Sequence, residues 1–98
     1  MIERIVIMTF KPTAINEFLE VFDSSSAKIR NFPGNHGLRL LQNCQEPNKL
    51  TTYSYWESED ALNNYRHSEL FEDTWAKTKV LFDSKPIAFS NQVIRGPF

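Results

Sequence analysis

Ninety-eight residues carrying a formal charge of −1 leave room for one domain, residues 1–98, and for no strong electrostatic field. Acids and bases are mixed along the chain, which excludes the basic stripe that grips DNA or RNA. Cys44 is the single cysteine, which excludes an internal disulfide or a cysteine zinc site, and two histidines without a carboxylate motif beside them do not make a metal site.

The first apolar run, Ile5 to Met8, is too short for a signal or membrane segment, so the expectation is a soluble, cytoplasmic protein without a membrane partner. Ile2 to Phe10 is rich in β-branched residues and closes before Lys11-Pro12, which predicts a strand. Both of its faces carry apolar residues, Ile5 and Ile7 on one, Val6, Met8 and Phe10 on the other, as in a strand covered on both sides. Ile15, Phe18, Leu19, Phe22, Ser26 and Ile29 recur at helical spacing and predict a helix from Pro12 or Thr13 to about Phe32. Ser24-Ser25-Ser26 interrupts it. Small serines near the apolar stripe leave room beside Phe22, or allow close packing or a bend.

Phe32-Pro33-Gly34-Asn35 is a turn by composition. Gly37 to Gln42 and Lys49 to Trp56 read as strands joined through Glu46-Pro47-Asn48. Ser58, with Asp60 and Ala61 after it, and Ser68, with Glu69 and Glu72 after it, are N-cap patterns for two short helices. The second continues through Leu70, Phe71, Trp75, Thr78 and Phe82 to about Asp83. Ile87 to Ile94 forms the last strand, and Gly96-Pro97 closes the order. The sum is βαββαβ: an α+β, ferredoxin-like domain with a four-stranded antiparallel sheet and helices on one face. The outer strands are apolar on both faces and the chain is too short to cover the second, so a homodimer joined through the sheets is expected.

The segment Tyr55-Trp56-Glu57-Ser58-Glu59-Asp60-Ala61-Leu62, followed by Tyr65 and by Ser68-Glu69-Leu70-Phe71, resembles the antibiotic biosynthesis monooxygenase family, whose members form dimeric α+β barrels. The resemblance extends over nearly the whole chain in length and element order, and is sharpest over this segment. It implies oxygenation of quinols or polyketide phenols without a cofactor. Haem-degrading relatives carry an asparagine on the first strand and an iron-ligating histidine on a later helix; this chain has Val6 and Trp75 there, so the haem lacks its axial ligand. Relatives resembling quinol monooxygenases carry a histidine where this chain has Leu70. The nearest histidine is His67.

The candidate site follows from the same segment. Trp56 shares a strand face with Ser54 and Thr52, and small polar neighbours leave space beside a large ring, so it is expected between sheet and helices at one wall of a cavity. Tyr65, Phe71 and Trp75 are the other expected substrate-binding residues, with packing in an ordinary core as the alternative for each. His67, at the joint between the two short helices, is the candidate general base, although a histidine in a joint also serves as a cap or faces solvent. His36 falls in a turn. Arg39 reads as a partner in an intersubunit ion pair, and Cys44 as a small buried filler. The leading expectation is a cofactor-independent monooxygenase acting on a small electron-rich aromatic, with no cofactor and no metal. The alternatives are a binding module that kept the barrel without the chemistry, and a purely structural dimer.

Overall fold

In the computed structural model, residues 1–96 are described, and Pro97 of the expected terminal stop lies outside them. The β-branched first segment forms β1 (Ile2–Thr9). Pro12 fixes the first backbone angle of a single 3-10 turn, Pro12–Ala14, and α1 (Ile15–Arg30) follows directly. The chain continues through β2 (Asn35–Gln42), β3 (Lys49–Trp56), α2 (Glu59–Arg66), α3 (Glu69–Lys79) and β4 (Ile87–Gln92). The strands lie in the order β2-β3-β1-β4, and every pairing is antiparallel. This is the ferredoxin-like split βαβ that the element order predicts.

Several boundaries differ from the sequence reading, and the ends of β4 and α3 differ for a pairing reason. The last strand stops at Gln92 rather than Ile94, because Gln92 pairs with Ile2 and β1 offers no earlier partner beyond Met1, whose carbonyl accepts from Val93 N–H at 3.0 Å. α3 stops at Lys79 rather than Asp83. Residues 80–83 instead run back to the end of β1: Lys11 N–H donates to Leu81 O at 3.0 Å and Asp83 N–H to Thr9 O at 2.8 Å. α1 ends at Arg30, and β2 begins at Asn35 with an irregularity before Gly37.

Register sorts the side chains onto two faces. Toward the helices, one row runs Leu38, Ser54, Arg4, Ser90 and the next Leu40, Thr52, Val6, Ala88. Between sheet and helices sit two core clusters, one around Phe10, Met8, Phe18 and Leu50, the other around Trp56, Ile29 and Leu62. On the far face one row runs Arg39, Tyr53, Ile5, Phe89, and beside it Leu41, Thr51, Ile7, Ile87. Ile5 is buried by its own neighbours there, whereas Phe89 and Ile87 are 40% and 59% exposed. Among the described residues, no helix is long and apolar enough to cross a membrane.

Candidate functional site

A cavity of about 370 Å³ lies under the helices, a volume in the range of small-molecule sites. Its floor is the sheet: Arg4, Val6 and Met8 of β1, Thr52 and Ser54 of β3, with Leu38 and Ala88 at the sides. α1 gives one wall through Phe18, Val21, Phe22, Ser25 and Ile29. Ser25 leaves the room its size implied: its hydroxyl turns back to the Val21 carbonyl at 2.8 Å, so it adds no bulk beside Phe22. The opposite wall comes from α2 and α3 through Leu62, Tyr65, Arg66, Phe71, Trp75 and Thr78.

Two serine caps set that wall. Ser58 Oγ accepts from Ala61 N–H and starts α2, and Ser68 Oγ accepts from Phe71 N–H and starts α3, each at 3.1 Å. The break between them turns Tyr65 and Phe71 edge to face, with ring centroids 5.3 Å apart, while Phe71 and Trp75, one turn apart, lie nearly parallel at 5.9 Å. Tyr65, Phe71 and Trp75 therefore line the cavity together. Burial pushes the Tyr65 hydroxyl up to about 12, so it is protonated near neutral pH and donates rather than abstracts.

Trp56 is placed differently from the expectation. It lies between sheet and helices but is 0% exposed and does not reach the cavity surface. Its indole N–H donates to Ser54 Oγ at 2.9 Å, and its ring stacks on Tyr65 with centroids 4.8 Å apart and planes 21° apart. The N–H bond holds the indole down against its own strand, so Ser54 and Tyr65 stand between it and the void. Trp56 braces two cavity residues from behind.

His67 is also set apart from the cavity. It is exposed at the C-terminal end of α2, where Nδ1 donates to the Asn63 carbonyl at 2.7 Å, the capping alternative for a histidine in a joint. His36 is exposed. Arg39 lies over the Tyr53 ring, 5.6 Å from its centroid, on the far face of the sheet. Cys44 is corrected from a buried filler to an exposed residue, because β2 ends at Gln42 and leaves it in the connecting loop.

Arg4 and Arg66 line the cavity and were not singled out by sequence reasoning. One signal was available for Arg4: it is the charged member of the otherwise apolar set Ile2, Val6, Met8 on one face of β1. Its Nη1 donates to Ser90 Oγ at 3.1 Å. Burial, and then the nearby Arg66 charge, hold its guanidinium below the usual arginine range. The lining contains no histidine, aspartate or glutamate. Among the described residues, no cluster of three or more histidine, cysteine or acidic side chains is arranged to hold a metal ion.

A ferredoxin-like sheet roofed by helices over an aromatic cavity defines a class of α+β single-chain units. The family model for antibiotic biosynthesis monooxygenases matches residues 1–77, and the chain belongs to that family. The matched region holds every cavity residue except Thr78, Pro86 and Ala88. Among solved structures, one of an antibiotic biosynthesis monooxygenase is similar with a TM-score of 0.90 and 18% identity, covering 97% of this chain and 100% of that one. A conserved protein from Methanosarcina mazei Go1 is similar with a TM-score of 0.89 and 19% identity, covering 93% and 90%. SnoaB, a cofactor-independent oxygenase from Streptomyces nogalater, is similar with a TM-score of 0.86 and 18% identity, covering 98% and 95%. At these identities the likeness is one of fold. A search of curated proteins finds no match.

Proposed function

We propose that this chain is a cofactor-independent monooxygenase acting on a small electron-rich aromatic such as a quinol. The observation that carries the proposal is the aromatic-walled cavity of about 370 Å³ within a chain of the antibiotic biosynthesis monooxygenase family. In this chemistry the substrate supplies the electrons. The substrate loses its hydroxyl proton to solvent, its anion gives one electron to O₂, and the radical pair joins at carbon as a peroxide anion that takes one proton back to become the hydroperoxide. Loss of water then leaves a carbonyl on the substrate, so one oxygen atom enters the product and the other leaves in water. The chain's part is to hold the ring flat against Phe71 and Trp75, to keep water from the radical pair, and to donate from the neutral Tyr65 hydroxyl to the ionised substrate oxygen.

Oxygen uptake with a panel of hydroquinones and naphthohydroquinones is the direct test. Trp75→Ala and Phe71→Ala should each lower kcat/KM by about tenfold or more, as lost ring positioning does. His67→Ala should leave it unchanged, because the imidazole lies outside the cavity lining. No uptake above the protein-free rate across the panel would remove the proposal.

One observation favours the alternative, a binding module of the same shape: the cavity lining contains no side chain able to take a proton at neutral pH. A thermal-shift screen separates the two. A ligand present at 100 times its Kd stabilises the folded state by about 2.7 kcal/mol, whether or not turnover follows. Stabilising aromatics without oxygen uptake would support binding alone. The same reading includes a homodimer formed through the far face of the sheet, supported by the apolar row through Tyr53, Ile5 and Phe89.

A further inference from the structure

The geometry points to an acidic ligand: an aromatic body carrying a carboxylate that Arg4 and Arg66 receive from opposite layers of the cavity. The inference rests on the proposed reading that the cavity takes an aromatic molecule, and adds the chemical class of its substituent.

Arg4 projects from the inner face of the central strand, where its neighbours two residues away are Ile2 and Val6. A guanidinium at a half-buried position facing helices is costly unless something compensates it. Ser90 Oγ accepts one hydrogen bond from it, and a guanidinium has five N–H donors. Arg66, the last residue of α2, reaches the same cavity from the helical layer. Two like charges thus converge on one space; burial first, and the Arg66 charge second, hold the Arg4 guanidinium below the usual arginine range. No acidic side chain lines the cavity to offset them. Among the described residues the one ion pair is Lys49–Glu46, at 3.1 Å in the β2–β3 hairpin, and it involves neither arginine.

A bound anion removes this conflict. The planar fork of arginine matches the two oxygens of a carboxylate, and charge-assisted hydrogen bonds of this kind are about twice as strong as neutral ones. The remaining walls, Phe71, Trp75, Phe22 and Val6, are apolar and suit a ring rather than a second charge. A lining that combines two cations with aromatic and aliphatic side chains therefore asks for one amphipathic molecule. Solvation of two free arginines is the competing account, and it predicts no preference between a carboxylate and a neutral ligand of the same shape.

The test uses two probes of nearly equal shape, 2-naphthoate and 2-naphthamide, titrated into the intact protein at neutral pH and followed by tryptophan fluorescence. Wild type should bind naphthoate at least about tenfold more tightly than the amide. Arg4→Gln and Arg66→Gln should each remove most of that preference while leaving amide affinity within about twofold, a retention that also reports an intact cavity. Arg66 is exposed at a helix end, so its glutamine variant keeps the test decisive even where Arg4→Gln fails to fold. Equal affinity for the two probes in wild type overturns the inference and leaves the aromatic cavity standing. A preference that survives in the glutamine variants places the anion elsewhere and also overturns it. Failure of both probes to bind removes the aromatic reading, and the inference with it.

Discussion

Trp56 and Trp75 differ in what surrounds them, and the difference sets what each contributes to stability. Trp56 is enclosed on all sides, with its N–H bonded to Ser54, whereas Trp75 has one side open to the cavity. Trp56→Ala should cost about 3–5 kcal/mol, the range for truncating a fully packed large aromatic. Trp75→Ala should cost less, since part of its surface already lacks contacts. Urea denaturation at matched concentration checks the order, and equal losses would contradict it. Tyr65 adds a pH dependence. Its hydroxyl titrates near 10 when unfolded and at about 12 when folded, so the unfolded state ionises first. Stability is fully present below pH 10 and falls as pH rises from 10 toward 12, a loss that Tyr65→Phe should reduce. Helical spacing made Tyr65, Phe71 and Trp75 legible as one wall. Arg4 was harder to place, because both faces of β1 are apolar and parity alone does not say which face the helices cover.

The serine caps at 58 and 68 were legible because capping is local chemistry, carried within four residues. The ends of α3 and β4 were not, because each depends on how far β1 extends as a partner, a property of the register. The turn from α1 into β2 combines both kinds of information. Gly34 was recognisable as a turn residue. Its positive φ of 87°, and a virtual Cβ only 2.5 Å from Ala61 Cβ, are products of tertiary packing. Its carbonyl also accepts from Glu57 N–H at 2.8 Å, joining the turn to the start of α2. Gly34→Ala meets backbone strain and a clash with another element together, and should destabilise by at least about 2 kcal/mol. Gly96→Ala shares the positive φ of 93° but, among the described residues, meets nothing within 4 Å, so it should cost less. Thermal denaturation of the two variants separates strain from contact, and similar losses would show that packing against Ala61 is unimportant.

At the scale of the molecule, the sheet has two apolar faces, and only one of them is covered by the chain's helices. The inner face holds the cavity, enclosed by elements of a single chain. The far face presents Tyr53, Ile5 and Phe89 in one row and Leu41, Ile7 and Ile87 in the next. A chain of this length buries only about 60–65% of its unfolded surface, so leaving such a face in water is expensive. A second copy, related by a twofold axis, would cover it with the same residues. Wild type should therefore run in light scattering at twice 11.4 kDa at micromolar concentration. Phe89→Asp places a charge on a residue that is 40% exposed in the single chain, and so tolerates it there, but not in a closed sheet-to-sheet contact. The variant should run at 11.4 kDa, keep the far-ultraviolet circular dichroism of the folded domain, and become less stable because association no longer supports it. Since the cavity lies on the other side of the sheet, this monomer should still bind aromatic probes. Wild type at 11.4 kDa over that concentration range would remove the dimer, and loss of probe binding in a folded Phe89→Asp monomer would show that the cavity depends on the second copy.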